Sequence, residues 1–166
     1  MADRPRLARE TTVQECQALL EIPPLLVAPS ADLRHVVREA ARQSATRLIG
    51  VVDDAGRLIG VTTVTRVAES IVARVVPEAL LVDVADAATA TEFSQSMGVR
   101  FAKDIMLPPA TVVLSDTIGD AFRVMHRRKL GGVYIVDADG RPTGYLDLLE
   151  LALVYVRALE APGAAS

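Results

Sequence analysis

The stretch "LIGVVDDAGRLIGVTTVTRV", residues 48–67, returns later in the chain as "GGVYIVDADGRPTGYLDLLEL", residues 131–151. Laid over each other, Asp53-Asp54-Ala55-Gly56-Arg57 meets Asp137-Ala138-Asp139-Gly140-Arg141 at an offset of 137 − 53 = 84. Each turn follows a short apolar run, Val51-Val52 or Ile135-Val136, and each is succeeded by a second Gly and a helix-like segment. Asp and Gly tolerate the left-handed backbone of tight turns, so both copies read as β-hairpins.

Upstream, the echo takes the period of a helix. Leu33, Val36, Val37 and Ala40 in one copy and Ile118, Ala121, Phe122 and Met125 in the other fall at i, i+3, i+4 and i+7, one buried stripe each. Here the offset is 118 − 33 = 85, one residue more than at the hairpins. Ser30 or Asp32 and Ser115 or Asp116 are available to cap the two helix starts. Apolar stretches at 25–29 and 111–115 precede the helices, and amphipathic segments, "TTVTRVAESIVARVV" and "LDLLELALVYVRALE", follow the hairpins. One unit therefore reads β-α-β-β-α. Two such units pack together because a three-stranded sheet alone leaves an apolar face uncovered. The expected fold class is α/β (α+β), with pseudo-twofold repeats and a helical insertion between them.

Composition sets limits on function. The chain has 166 residues, 51% of them hydrophobic, with no Trp, three Tyr and three Phe, so its core is mostly aliphatic. Lys+Arg 18 against Asp+Glu 21 gives a net charge of −3, too little positive field to make nucleic acid the expected partner. The dense basic run, Arg127-Arg128-Lys129, stands where a helix ends and complements its carbonyl dipole, the alternative being a dedicated anion site. Cys16 is the one cysteine, which excludes an internal disulfide and a Cys-type metal cluster. No signal-peptide core and no membrane-length apolar run is visible, so the expected location is cytoplasmic.

The order of elements and the phrase "KDIMLPPATVVLSDTIGDAFRVMHRRKLGGVYIVDADGRPTGYLDLLE" resemble the cystathionine β-synthase (CBS) domain, here as a tandem pair. The resemblance divides the chain into an N-terminal segment 1–22, a first repeat 23–73, a helical insertion 74–102, a second repeat 103–158 and a flexible tail 159–166. It implies a stand-alone regulatory protein, a homodimer, that binds AMP, ADP, ATP or S-adenosylmethionine in the cleft between repeats and acts on a regulated protein the sequence does not name.

In that family a G-x-x-[ST]-x-x-D pattern serves the ligand: Gly permits close backbone approach, a hydroxyl and a helix N-terminus hold phosphate, and a carboxylate takes the ribose diol. The pattern falls on Gly60, Thr63 and Arg66 in the first copy, where Arg66 cannot accept a hydrogen bond from a ribose. In the second it falls on Gly144, Asp147 and Glu150. Glu150 keeps a carboxylate, but Asp147 replaces the hydroxyl. A carboxylate 4–5 Å from a phosphate costs roughly 3–4 kcal/mol at an effective dielectric near 20, which points to an adenosyl ligand without nearby phosphate, such as methylthioadenosine, or else to Asp147 as a helix cap. Thr111, Val112, Val133 and Tyr134, with Leu48, Ile49 and Gly50, are the expected lining of the base, and Gly131-Gly132 would let a flat base approach the backbone.

Catalysis is not expected. His35 and His126 lie on helix surfaces without metal-ligand spacing, and neither nucleophile-elbow nor phosphate-loop motifs occur. Two other readings remain: a ligand-free interaction module whose clefts are filled by side chains, with Arg66 reaching an acid such as Glu69, and an accessory subunit of an enzyme.

Overall fold

Short apolar runs that are buried on both faces make strands, and the periodic stripes between them make the helices that cover those strands. The computed structural model describes residues 10–17, 22–73 and 98–160. In chain order these form α1 (Val13–Gln17), β1 (Leu25–Val27), α2 (Leu33–Arg42), β2 (Leu48–Val52), β3 (Leu58–Thr63), α3 (Val64–Val72), α4 (Ala102–Ile105), β4 (Thr111–Val112), α5 (Ile118–Arg128), β5 (Gly132–Val136), β6 (Pro142–Asp147) and α6 (Leu148–Glu160). Residues 74–97 of the expected helical insertion lie outside the described residues.

Each repeat carries a three-stranded sheet, β1-β2-β3 or β4-β5-β6. In both, the first pair is parallel and the second antiparallel, with a register shift at equivalent places, Val51/Val52 and Ile135/Val136. The turns repeat to the atom. Asp53 accepts the N–H groups of Ala55 and Arg57, Asp137 accepts those of Asp139 and Arg141, and Gly56 and Gly140 take φ of 77° and 78°. Strands are shorter than the apolar runs suggest: β4 stops at Val112 because the Val113 N–H turns to the Asp116 carboxylate.

Helix starts divide between the expected candidates and one other residue. Asp32 caps α2 by accepting the Arg34 N–H, but Thr117, not Ser115 or Asp116, caps α5, in a reciprocal box with Asp120. The basic run ends α5 as expected, with Lys129 in the left-handed region at φ 53°.

A shared core and an exchange of helices are among the features that join the repeats. A mixed core brings Leu48, Leu58 and Val61 of the first repeat against Val112, Val133, Tyr134, Ile135 and Leu146 of the second. The leading helices are also exchanged. α1 binds the second repeat, where Thr12 bridges to Thr117 and the Val13 N–H donates to Asp116 O at 2.8 Å. α4 binds the first repeat in the same way, Phe101 bridging to Asp32 and the Ala102 N–H donating to Ala31 O at 2.9 Å. Each segment thus covers the repeat it does not precede.

Candidate functional site

The motif residues Gly60, Thr63 and Arg66, and Gly144, Asp147 and Glu150, lie at two equivalent junctions where the last strand of a repeat turns into its last helix. Backbone hydrogen bonds fix the equivalence: the Val64 N–H donates to Arg47 O in one repeat, and the Leu148 N–H donates to Gly131 O in the other. Position 47 therefore corresponds to 131, and Thr63 to Asp147, all at the 84-residue offset.

At the second junction Asp147 is buried, only 1% exposed. Its Oδ1 accepts Arg47 Nη1 from the first repeat at 2.8 Å and the Leu149 N–H at 2.9 Å, and its Oδ2 accepts the Tyr145 hydroxyl at 2.8 Å. Asp147 is both a cap of α6 and one half of an ion pair between repeats. The carboxylate is not bare, as the expected repulsion of phosphate assumed: Arg47 supplies the opposite charge at contact distance. Burial, the Asp147 charge and the donated hydrogen bond all push the Tyr145 hydroxyl's pKa upward, so it stays a donor. Glu150 lies half-buried in the first turn of α6.

The first junction is built differently. Thr63 caps α3 by accepting the Arg66 N–H at 3.1 Å, and Arg66 itself is exposed in the first turn of that helix. Among the described residues its guanidinium pairs with no acid, Glu69 included. The residue equivalent to Arg47 is Gly131, and no heavy atom lies within 4 Å of where its Cβ would stand.

Both motif glycines are approached closely, by the exchanged segments. A Cβ on Gly60 would meet Met106 Sδ at 2.8 Å and Leu107 O at 3.0 Å, and one on Gly144 would run into the Gln17 amide. Most residues expected to line a base are packed into the core. Val112, Val133, Tyr134 and Leu48 are buried between the repeats, Ile49 is buried in the first repeat's own core, and Thr111 is half-buried at the sheet edge. The Tyr134 hydroxyl lies 2.8 Å from Leu25 O and 2.7 Å from Leu48 O, and its ring presses on Gly50, where a Cβ would be 3.0 Å from Tyr134 Cζ. Gly132 is likewise faced by Tyr145, whose ring stands 5.3 Å from that of Tyr134. Gly50 and Gly132 do mark close approach, but what approaches is the chain's own tyrosines, while Gly131 is approached by nothing.

Sequence reasoning missed Arg47, which carries no motif and sits 100 residues from its partner. A basic side chain just before β2, at the place where the other repeat has Gly131, was the available signal.

A CBS domain family model matches residues 16–73 and 102–156. No curated protein matches the sequence. Among solved structures, a CBS domain-containing protein from Thermotoga maritima is 20% identical, covers 89% of this chain and 95% of its own, and superposes with a TM-score of 0.69. The CBS domain pair of protein MJ0100, solved with 5′-methylthioadenosine and S-adenosyl-L-methionine, is 17% identical over 89% of this chain and 97% of its own, with a TM-score of 0.64. CBSX2 of Arabidopsis thaliana, solved with AMP, is 20% identical over 81% of this chain and 89% of its own, with a TM-score of 0.58. At these identities the likeness establishes the fold.

Proposed function

Because the chain belongs to the CBS domain family, with a model match over both repeats, we propose that it is a non-catalytic regulatory module that senses an adenosyl ligand between its repeats. The observation that carries the reading is the inequality of the two junctions. Arg47 and Tyr145 occupy the second one, around Asp147, whereas Gly131 sends no side chain toward the first. The first junction also keeps what a phosphate needs: the Thr63 hydroxyl, the N-terminus of α3 and the exposed Arg66 cation. The ligand is then AMP, ADP or ATP, one per chain, ahead of S-adenosylmethionine. Its binding shifts the relation between repeats by its difference in affinity for the two arrangements, and a partner protein reads the shift. That two related CBS pairs were solved with adenosyl compounds supports the ligand class.

Calorimetry tests this directly. AMP and ATP bind the wild type with a stoichiometry of one, and Thr63→Val combined with Arg66→Gln weakens them about tenfold or more. If no adenosyl compound binds at millimolar concentration, the sensing reading falls. A second reading then leads, that of an interaction module, and the packing of Tyr134 and the ion pair of Arg47 with Asp147 into the inter-repeat space favour it.

A further inference from the structure

A groove of about 380 Å³ opens between α5 and the edge strand β4, lined by Pro109, Thr111, Val124, Arg127 and Arg128. Its size falls in the range of small-molecule sites. The repeat architecture supplies an internal control, since the helix offset of 85 places Glu39 on Val124, Arg42 on Arg127 and Gln43 on Arg128. In the first repeat this region satisfies itself. Arg42 Nη1 pairs with Glu39 at 2.6 Å, and the Gln43 amide donates to Pro23 O at 2.5 Å and to Thr46 Oγ1 at 2.8 Å.

In the second repeat the internal acid is gone. Val124 takes the place of Glu39, Arg127 retains the cation, and Arg128 adds another, with one Nη held at 3.5 Å from Pro109 O. Among the described residues neither guanidinium pairs with a carboxylate. The edge strand changes in the same sense: Thr111 brings a hydroxyl where the pairing of Leu26 with Gly50 and of Thr111 with Tyr134 puts Leu26 in the first repeat. Two cations, one hydroxyl and the apolar flanks of Pro109 and Val124 therefore line a groove without its own anion. Guanidinium groups bind oxyanions in paired, directional hydrogen bonds, and apolar walls favour a ligand with a hydrocarbon body.

We propose that this groove binds a small organic anion, a carboxylate or phosphate monoester, through Arg127 and Arg128. The site does not depend on the adenosyl reading: Gly60, Thr63 and Arg66 have no part in it, and of the residues expected to line a base it shares Thr111 alone. The test is a nuclear magnetic resonance titration of the whole chain with phenyl phosphate, benzoate and inorganic phosphate, none of which contains adenosine. Phenyl phosphate or benzoate, whichever chemistry the site prefers, gives saturable shifts at Thr111, Val124, Arg127 and Arg128, and binds more tightly than inorganic phosphate. Arg127→Gln weakens that binding about tenfold, and Val124→Glu, which restores the first repeat's internal acid, abolishes it. Arg42→Gln, at the equivalent place in the first repeat, leaves it unchanged. Arg127 is exposed, so its variant reads the site even where Val124→Glu does not fold. Shifts that fail to saturate, that spread over the surface, or that survive Arg127→Gln overturn the proposal.

Discussion

Asp147 has both carboxylate oxygens engaged inside the protein, with a cation, a backbone N–H and a phenol around a side chain that water scarcely reaches. A buried carboxylate is tolerated only when its charge and its lone pairs are answered together. Asp147→Ala is therefore expected to destabilise the fold by about 2–4 kcal/mol, since it removes the α6 cap and strands the Tyr145 hydroxyl. Arg47→Ala costs at least as much, because it leaves the Asp147 charge buried with only two neutral donors, although Arg47 is itself half exposed. Urea denaturation of the two variants checks the order; a clearly smaller cost for Arg47→Ala would mean that the polar shell, rather than the ion pair, dominates.

At the scale of elements, the same phrase produces the same turn twice, but helix starts are settled locally. α2 begins at Asp32, whose carboxyl pKa is lowered from 3.8 to about 2, chiefly by hydrogen bonds from the Arg34 side chain and N–H, with Arg34 and Arg100 adding opposite charge. A depressed folded-state pKa means that the stabilisation is complete above the unfolded value near 3.8 and lost as pH falls through about 2. The advantage of the wild type over Asp32→Asn is thus full at neutral pH and shrinks between pH 4 and 2. Thermal melts across that window test it, and an advantage that persists unchanged to pH 2 would remove Asp32's charge from the account. α5 begins at Thr117, without a carboxylate at the cap itself, so a matching variant there has no such window from the cap residue.

For the whole molecule, the face of α6 turned to solvent bears on assembly. Leu149, Leu153 and Val156 recur at i, i+4 and i+7, at 49%, 42% and 45% exposure, beside Leu148 and Tyr155. An apolar stripe of this kind is expected to be covered by a protein partner. The expected occupant is a second copy, giving a homodimer. Leu153→Glu should convert it to a monomer by light scattering without altering the far-ultraviolet spectrum, and a wild type that is already monomeric at tens of micromolar would refute the assignment. No helix among the described residues is long and apolar enough to cross a membrane.

The doubled architecture was legible because it rests on local rules. The Asp-Gly-Arg turns, the i, i+3, i+4, i+7 stripes and the basic helix end each depend on residues a few positions apart, and the turns and stripes recur at an offset of 84 or 85. The candidate site was legible only as a set of positions. Asp147 announced a carboxylate, but its counterion lies 100 residues away, and Gly132 announced a close approach without saying that Tyr145 would make it. The exchange of α1 and α4 was equally hidden, since nothing in "VQECQ" or "AKDI" specifies which repeat it covers. Local sequence determined the two units, because turns and helices form from neighbours in the chain. Tertiary structure alone decided which junction is filled and which groove lacks an anion, because charge and volume are balanced among neighbours in space.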